Sequence, residues 1–412
     1  MDNKFTKWLR NHYNKIIHSI AFYPAIIAIA FLVLSVMMQE FDFSKAGKLI
    51  KSNSGWISLQ DANTARSIVS TIAGGIISLT VFSFSMVMIV LNQAASQMSN
   101  RMLEGMIANR FQQFVLGIYI GSIVYALSLL TTIRDVNAGI SVPALSIYLL
   151  LVITVADIFI FIYFLHYVTQ SVKFQTIIGR VHEKTMHSME QESSQRPQSA
   201  FLLPKWGSQT VCTESSGYFQ GFDKKQLMHF ATKNEGLVHF LKPRGSYILK
   251  GIPVLEFYSP QPMAADQIKE ILYHIDFYPG KEIQVNSYYG FHQLGEVALK
   301  ALSPGINDPE KAVLSLHALT DLISYKLTHN VQSSFEDEEG MVRIQTLEWT
   351  FEEIFTQLFY PIWEYGKTDL FIQKAMVQMV EQLLECDTSG SHKPLFTIFL
   401  NEVTKQVSQN DL

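Results

Sequence analysis

The sequence predicts a membrane α-helical protein, with four transmembrane helices followed by a cytosolic α+β domain that has a small β-rich module and a helical C-terminal part. Three observations predict it. Only 17% of the 412 residues are charged and 48% are hydrophobic, whereas about a quarter of an ordinary soluble domain is charged. Four long apolar runs precede Thr169, and charge and turn residues return after it. Each run approaches or exceeds the roughly 20 apolar residues of helix that a bilayer core requires. A single soluble enzyme is thereby excluded. The formal net charge of −4 gives none of the basic character of a nucleic-acid binder, so no nucleic acid is expected as a partner. Cys212 and Cys386 stand far apart with no CxxC spacing, which suggests neither a disulfide framework nor a zinc site.

The spans read as about 20–38, 68–91, 114–133 and 142–168, in a transmembrane domain of residues 1–169. A helical connector is expected at 170–200, the β-rich module at 201–262 and the mainly helical part at 263–412. The first run follows Lys4, Lys7, Arg10 and Lys15, as a signal peptide would. It is too long for that, and it ends in Met37, Met38, Gln39 and Glu40 instead of a small-residue cleavage site, so it reads as an uncleaved helix. Orientation follows the lysines and arginines near the spans. The tail's four, Arg101 and Arg110, and Lys173, Arg180 and Lys184 make nine on one side. Lys45, Lys48, Lys51, Arg66 and Arg134 make five on the other, which places both termini in the cytosol. The first loop, with Phe41, Phe43, Ile50, Trp56, Ile57 and Leu59, reads as an amphipathic segment along the outer interface. Trp8, Tyr13, Tyr163 and Tyr167 suit the headgroup belt.

Within the second span, heptad steps from Thr64 land on Thr71, Ser78, Ser85, Asn92 and Ser99. Seven residues are nearly two helical turns, so these side chains share one face of a helix about 54 Å long. Ser67, Gly74 and Ser96 flank that face. Two readings stand side by side. Small and hydroxyl residues let membrane helices approach closely, and a serine can return its proton to its own backbone. Alternatively, the line faces water in a pore made by several copies, where hydroxyls and an amide replace an ion's hydration shell. The helix has no central proline or unwound site of the transporter kind, which favours a channel over a carrier.

Asp157 is the ionisable group well inside a span, and such groups face the protein interior or a wet cavity. It is a functional candidate. The plainer reading is a structural carboxyl paired with a serine such as Ser122 or Ser128.

After the fourth span the helix is expected to continue through Ser171 to Met189. Strand patterns follow at Gln209 to Thr213, Leu237 to Leu241, Ser246 to Leu249 and Val254 to Tyr258, with a helix between the first two opened by Asp223. A further helix is expected from Gln267 to Tyr273. The stretch from Gln284 to Lys326 reads as two amphipathic helices joined by an elbow of Ser303, Pro304, Gly305, Ile306, Asn307, Asp308 and Pro309. Asp308 is placed to cap the second helix, which begins at Pro309. The acidic run from Phe335 to Gly340 lacks calcium-loop spacing and reads as solvated. Three helices, Thr350 to Tyr365, Asp369 to Cys386 and Pro394 to Val407, complete the chain.

The block ALKALSPGINDPEKAV, preceded by YGFHQL, resembles the signature of the bacterial membrane-protein family catalogued as domain of unknown function 2254. The serine-rich second span ending in LNQAASQMSNRML, the GYFQGFD segment and the block FEEIFTQLFYPIWEYGKTD extend the resemblance over most of the chain. It implies an integral inner-membrane protein with a cytosolic domain. It also implies an aspartate a few residues ahead of the aromatic-glycine pair, where this chain has the uncharged Asn286.

The elbow has two readings. Asn307 and Asp308 at a helix start could bind a ligand, a cation or a neighbouring subunit, or the elbow is only a well-capped connection. No GxGxxG, Walker, HExxH or GxSxG motif occurs, so no enzyme activity, cofactor or metal is expected. The reading is a homo-oligomeric ion channel or related transport protein with a cytosolic regulatory domain, having the lipid bilayer and inorganic ions as partners. The alternative is a membrane-anchored sensor or scaffold without transport activity.

Overall fold

The computed structural model describes residues 21–53, 59, 61–97, 110–133, 142–171, 173–193, 203–277, 283 and 286–410. The basic cluster from Lys4 to Lys15, with Trp8 and Tyr13, lies outside the described residues, as do Trp56, Ile57, Ser99, Arg101 and Arg134. The chain forms two compact units, Met1–Lys173 and Phe174–Leu412.

The first unit contains α1 (Phe22–Phe43), α2 (Lys45–Asn53), α3 (Ala62–Gln97), α4 (Arg110–Thr132) and α5 (Ala144–Ser171). All but α2 are long and apolar enough to cross a membrane. Lipid is as apolar as leucine, so such helices associate through close packing and hydrogen bonds. Gly117 and Gly121, one turn apart on α4, bring α1 close. A Cβ at Gly117 would lie 2.6 Å from Ile27 Cδ1, and one at Gly121 would lie 2.7 Å from Phe31 Cγ. The first half of α3 buries Ala62, Ala65, Val69 and Ala73 in a cluster with Tyr125, Ala126 and Leu129 of α4 and Ile147 and Leu150 of α5.

A buried polar junction ties this bundle at one end. Asp42, near the end of α1, is fully buried and accepts from Lys51 Nζ of α2 at 2.6 Å. Its other oxygen accepts from the Ser146 backbone N–H at 2.8 Å and hydroxyl at 2.9 Å. Ser146 stands in the first turn of α5, where N–H groups lack intrahelical partners, so the carboxylate of one span caps another. One turn earlier Gln39 donates to Ser35 and Ser128 at 2.9 and 3.2 Å and accepts from Thr132 at 2.9 Å.

The fourth span does not run on as one helix. It ends at Ser171, Lys173 is non-helical and donates to Gln170 O at 3.3 Å, and a new helix, α6 (Phe174–Glu192), begins the second unit. That tight three-residue closure ends the α-helical hydrogen-bond ladder.

In the second unit follow β1 (Gly207–Cys212), β2 (Gly217–Phe222), α7 (Lys224–Lys233), β3 (Leu237–Phe240), β4 (Tyr247–Ile248), β5 (Pro253–Ser259), α8 (Ala265–Tyr273) and β6 (Ile275–Phe277). Then come α9 (Tyr288–Ala301), α10 (Pro309–Thr328), β7 (Ser334–Glu336), β8 (Val342–Gln345), α11 (Phe351–Gly366), α12 (Leu370–Cys386) and α13 (Lys393–Asn410). The larger sheet has the order β1-β5-β3-β8-β7, and the smaller β4-β2-β6. All pairs are antiparallel except β3 and β8, where Val238 lies opposite Ile344. The strand at 275 therefore completes the sheet begun at 217, and those from 334 onward complete the sheet begun at 207. Phe219, Phe222 and Phe240 stack at 4.8 to 5.1 Å, in a core shared with Leu227 and Phe230 of α7 and Ile271 of α8. The acidic run joins β7 to β8, and its Asp337 accepts from Arg343 Nε at 2.7 Å, which holds the carboxyl below the usual carboxylate range.

The helical part packs α9 on α6 and α10. Gly290 permits the first contact, since a Cβ there would meet Thr185 Oγ1 and lie 2.7 Å from its Cβ and Cγ2. Ser315 of α10 donates to Leu294 O of α9 at 2.7 Å. Phe355 of α11 meets Phe396 and Phe399 of α13 edge-on at 5.5 and 5.4 Å.

Two substitutions test these contacts. Asp42→Ala leaves Lys51 without its partner and the α5 terminus uncapped, and should lower stability in detergent by about 3 kcal/mol, read as a fall in the thermal midpoint. Gly290→Ala should destabilise by roughly 1–3 kcal/mol through overpacking. Adding Thr185→Ala, which removes two of the three opposing atoms, should restore part of that loss.

Candidate functional site

The polar line of α3 lies on the face turned away from the helix's own neighbours. Thr64, Thr71, Ser78, Ser85 and Asn92 are all exposed, while Ala62, Ala65, Val69, Ala73, Ile76 and Ser83 on the opposite side are buried. Ser99, the last member, lies outside the described residues. Thr64 bonds to Asp61, whose carboxylate also accepts the Thr64 N–H at 2.8 Å and so caps α3. Ser78 and Ser85 donate to Gly74 O and Val81 O, each at 2.9 Å. Their protons are used inside the helix, which leaves oxygen lone pairs outward. Among the described residues, nothing beyond the neighbouring positions of α3 itself comes within 4 Å of a Cβ built on Gly74 or Gly75.

Asp157 of α5 is 1% exposed. It lies beside Ser122 and Tyr119 of α4, and Tyr119 lies beside Ser83 of α3, yet none of these groups reaches hydrogen-bond geometry. Ser122 is thus the serine brought to Asp157, whereas Ser128 is taken by Gln39. Next to them a cavity of about 170 Å³ between α3 and α4 is lined by Ser83, Gln113 and Tyr119 among apolar side chains that include Val87, Leu116 and Phe164.

In the second unit the elbow places Asp308 as the N-cap of α10. Its carboxylate accepts from the Lys311 N–H at 3.2 Å and contacts Lys311 Nζ at 2.7 Å, and the lysine holds it below the usual carboxylate range. Asn307 adopts φ +45°, a left-handed value that asparagine tolerates better than most residues. The turn is closed by Ile306 N–H and Asn307 N–H to Ser303 O at 3.0 and 2.9 Å and by Asp308 N–H to Ala301 O at 2.8 Å. Ser303 and Asp308 are partly exposed, and Pro304, Gly305 and Asn307 are exposed.

These elements fall within residues 17–382, which match the family model described as Predicted membrane protein (DUF2254). The chain belongs to that family. Among curated proteins it is similar to an uncharacterized protein of Mycobacterium tuberculosis strain CDC 1551, 25% identical over 62% of this chain and 51% of the relative. An uncharacterized protein of Mycobacterium bovis is 24% identical over the same shares. The chain spans about half the length of the curated relatives it matches. No solved structure matches it.

The family signature also borders a charged junction that sequence reasoning missed. Arg244, between β3 and β4, stands 3.6 Å from Glu192 at the end of α6 and 3.5 Å from Glu348 before α11. Glu192 accepts from the Ser287 N–H and hydroxyl at 3.2 and 2.7 Å, and Lys326 of α10 lies close to both acids. Trp349 donates to Arg244 O at 2.8 Å and stacks on Tyr288 at 4.7 Å. Burial pushes the Glu348 carboxyl up against the opposing pull of Arg244, and burial pulls the Lys326 ammonium down. Asn286 sits in the wall of the adjoining small cavity, where its buried side-chain nitrogen has no hydrogen-bond partner. The four charges lie at 192, 244, 326 and 348, with no spacing that could have announced them.

Asp308 provides a pH-resolved test. Its depressed pKa adds stability that is fully present above the ordinary carboxylate range and is lost as pH falls through the depressed value. Asp308→Asn should keep the cap and remove that acid dependence, whereas Asp308→Ala should cost about 1 kcal/mol near neutrality. Thermal melts of the purified protein across acid pH check both outcomes.

Proposed function

We propose that the protein is a homo-oligomeric ion channel or related conductance of the bacterial inner membrane, in which α3 of several copies lines the path and the second unit regulates it. The observation that carries this reading is the outward direction of the polar line on α3. A monomer would turn five polar side chains of one helix toward lipid, where they gain nothing, and copies assembled about α3 would bring them together. The outward lone pairs of Ser78 and Ser85 suit the coordination of cations. The balance of lysine and arginine supports a cytosolic N-terminus and a cytosolic second unit. The elbow of Ser303 to Pro309, exposed at its tip, is a surface that such regulation could use.

The second reading, a membrane-anchored sensor or scaffold, draws on Gly74 and Gly75. Small residues that face open space let helices of two copies pack without any path between them.

Two experiments separate these readings and fix the orientation. Ser78→Leu or Ser85→Leu should dewet the proposed path and reduce ion flux in proteoliposomes by tenfold or more, roughly 1.4 kcal/mol or more of barrier, while the oligomer persists in native mass spectra. Loss of assembly with unchanged flux would favour the scaffold. In a Cys212→Ser, Cys386→Ser background, an impermeant thiol reagent applied to spheroplasts should label a cysteine at position 54 or 137 and miss one at 195. Labelling at 195 would reverse the orientation.

A further inference from the structure

Four buried polar side chains follow one another between α3, α4 and α5 with atoms that lack a hydrogen-bond partner, Ser83, Tyr119, Ser122 and Asp157, and Gln113, with one such atom, lines the adjoining cavity. Protein interiors satisfy nearly all such groups, and hydrocarbon leaves them no alternative partner. So many in one place mark a site built for something that comes and goes. The carboxyl sets its chemistry. An ionised carboxylate sealed from water with no cation is strongly disfavoured, so Asp157 either carries a proton or holds a positive ion.

The surroundings favour the proton. No basic side chain pairs with Asp157 among the described residues. The titratable group beside it is the Tyr119 phenol, and the hydroxyl beside it is that of Ser122. Other such groups of the surrounding helices are engaged or turned outward. Asp42 pairs with Lys51, Tyr125 donates to Ser146 O, Arg66 donates to Ile133 O, Tyr167 packs on Phe111, and Tyr163 and His166 are exposed. A bound metal ion would need a shell of oxygens, which membrane sites draw largely from unwound backbone. Near this site α3, α4 and α5 are unbroken helices whose carbonyls are already bonded.

We propose that Asp157 is a proton-binding site within the membrane, reached from the cavity between α3 and α4 through the hydroxyls of Ser83 and Tyr119. Tyr119 provides the link, because it lines the cavity and also lies beside Asp157. In uptake, a hydronium ion in the cavity gives a proton to Ser83 and is left as water, Ser83 gives its own to Tyr119, and the Tyr119 proton forms the O–H bond on Asp157. Each hydroxyl breaks one O–H bond and makes one, so the relay ends uncharged and the carboxylate is neutralised. Release reverses the sequence. The site does not rest on the proposed conduction, since a protein that passes no ions can still bind this proton.

Infrared difference spectra of the full-length protein in lipid nanodiscs, recorded while pH is stepped from acid to alkaline, test the site. The wild type should show a protonated-carboxyl C=O band that disappears as pH rises and is missing from Asp157→Asn. Tyr119→Phe, which cuts the relay and removes a neighbouring dipole, should slow the exchange or move the midpoint by about one pH unit, a tenfold change in proton affinity. The assignment is overturned if the wild type shows no titrating carboxyl band, if the band survives in Asp157→Asn, or if sodium chloride displaces it at constant pH, which would make this a metal-ion site. Should Asp157→Asn fail to fold, the wild-type band and its response to Tyr119→Phe still decide the question. The proposal is then rejected if the band is missing from the wild type or if it does not respond to Tyr119→Phe.

Discussion

Hydrocarbon supplies no hydrogen bonds, and the arrangement of the first unit follows from that constraint. Polar side chains in the spans fall into three groups. Some are satisfied within the bundle, as Asp42 is by Lys51 and Ser146 and as Gln39 is by Ser35, Ser128 and Thr132. These tie α1 to α2, α4 and α5 at one end, and removing one member strands the others. Some are satisfied by their own helix and then turned outward, as Ser78 and Ser85 are. The third group is buried and unsatisfied, and its Ser83, Tyr119 and Ser122 lead to Asp157. Packing glycines on α4 and the caps on α3 and α5 make the bundle, while the second and third groups have no structural need that the monomer reveals.

The second unit follows the rules of water. Its sheets are held by stacked phenylalanines and its helices by an aromatic cluster, so burial of large apolar side chains stabilises it, each contributing about 1.5–3 kcal/mol. Against that background the junction of Glu192, Arg244, Lys326 and Glu348 is unusual. Charges rarely leave water unless paired, and here two acids and two bases from separate segments meet beside Ser287 and Trp349. Such a cluster specifies geometry more than it adds stability, since the attraction largely offsets the loss of hydration. It fixes the end of α6 against the start of α9, where the family signature begins.

The parts legible in the sequence were those governed by local rules. Span length, the heptad line from Thr64, the caps at Asp223 and Asp308, and the last three helices all arise from periodicity or from one side chain bonding to nearby backbone. β2 was missed because glycine is depleted in strands and Gly217 and Gly221 interrupt GYFQGF, although the strand pairs on both edges. β7 and β8 were missed because each is short and the acidic run between them dominates the local composition. The helix break near Lys173 was missed because no proline or glycine marks it.

By itself, then, the sequence determined that this chain spans a membrane four times, carries a mixed α+β unit and bears a polar line on its second span. Each of these follows from composition and spacing along one element. Only the tertiary structure decided which way that line points, that Asp42 holds the start of α5, that Ser122 and Tyr119 rather than Ser128 stand beside Asp157, and that four distant charges meet at Arg244. Those outcomes depend on how helices rotate about their axes as they pack. That rotation is set by close contacts such as Ile27 over Gly117 and Thr185 over Gly290, between residues too far apart in the chain for any periodicity to relate them.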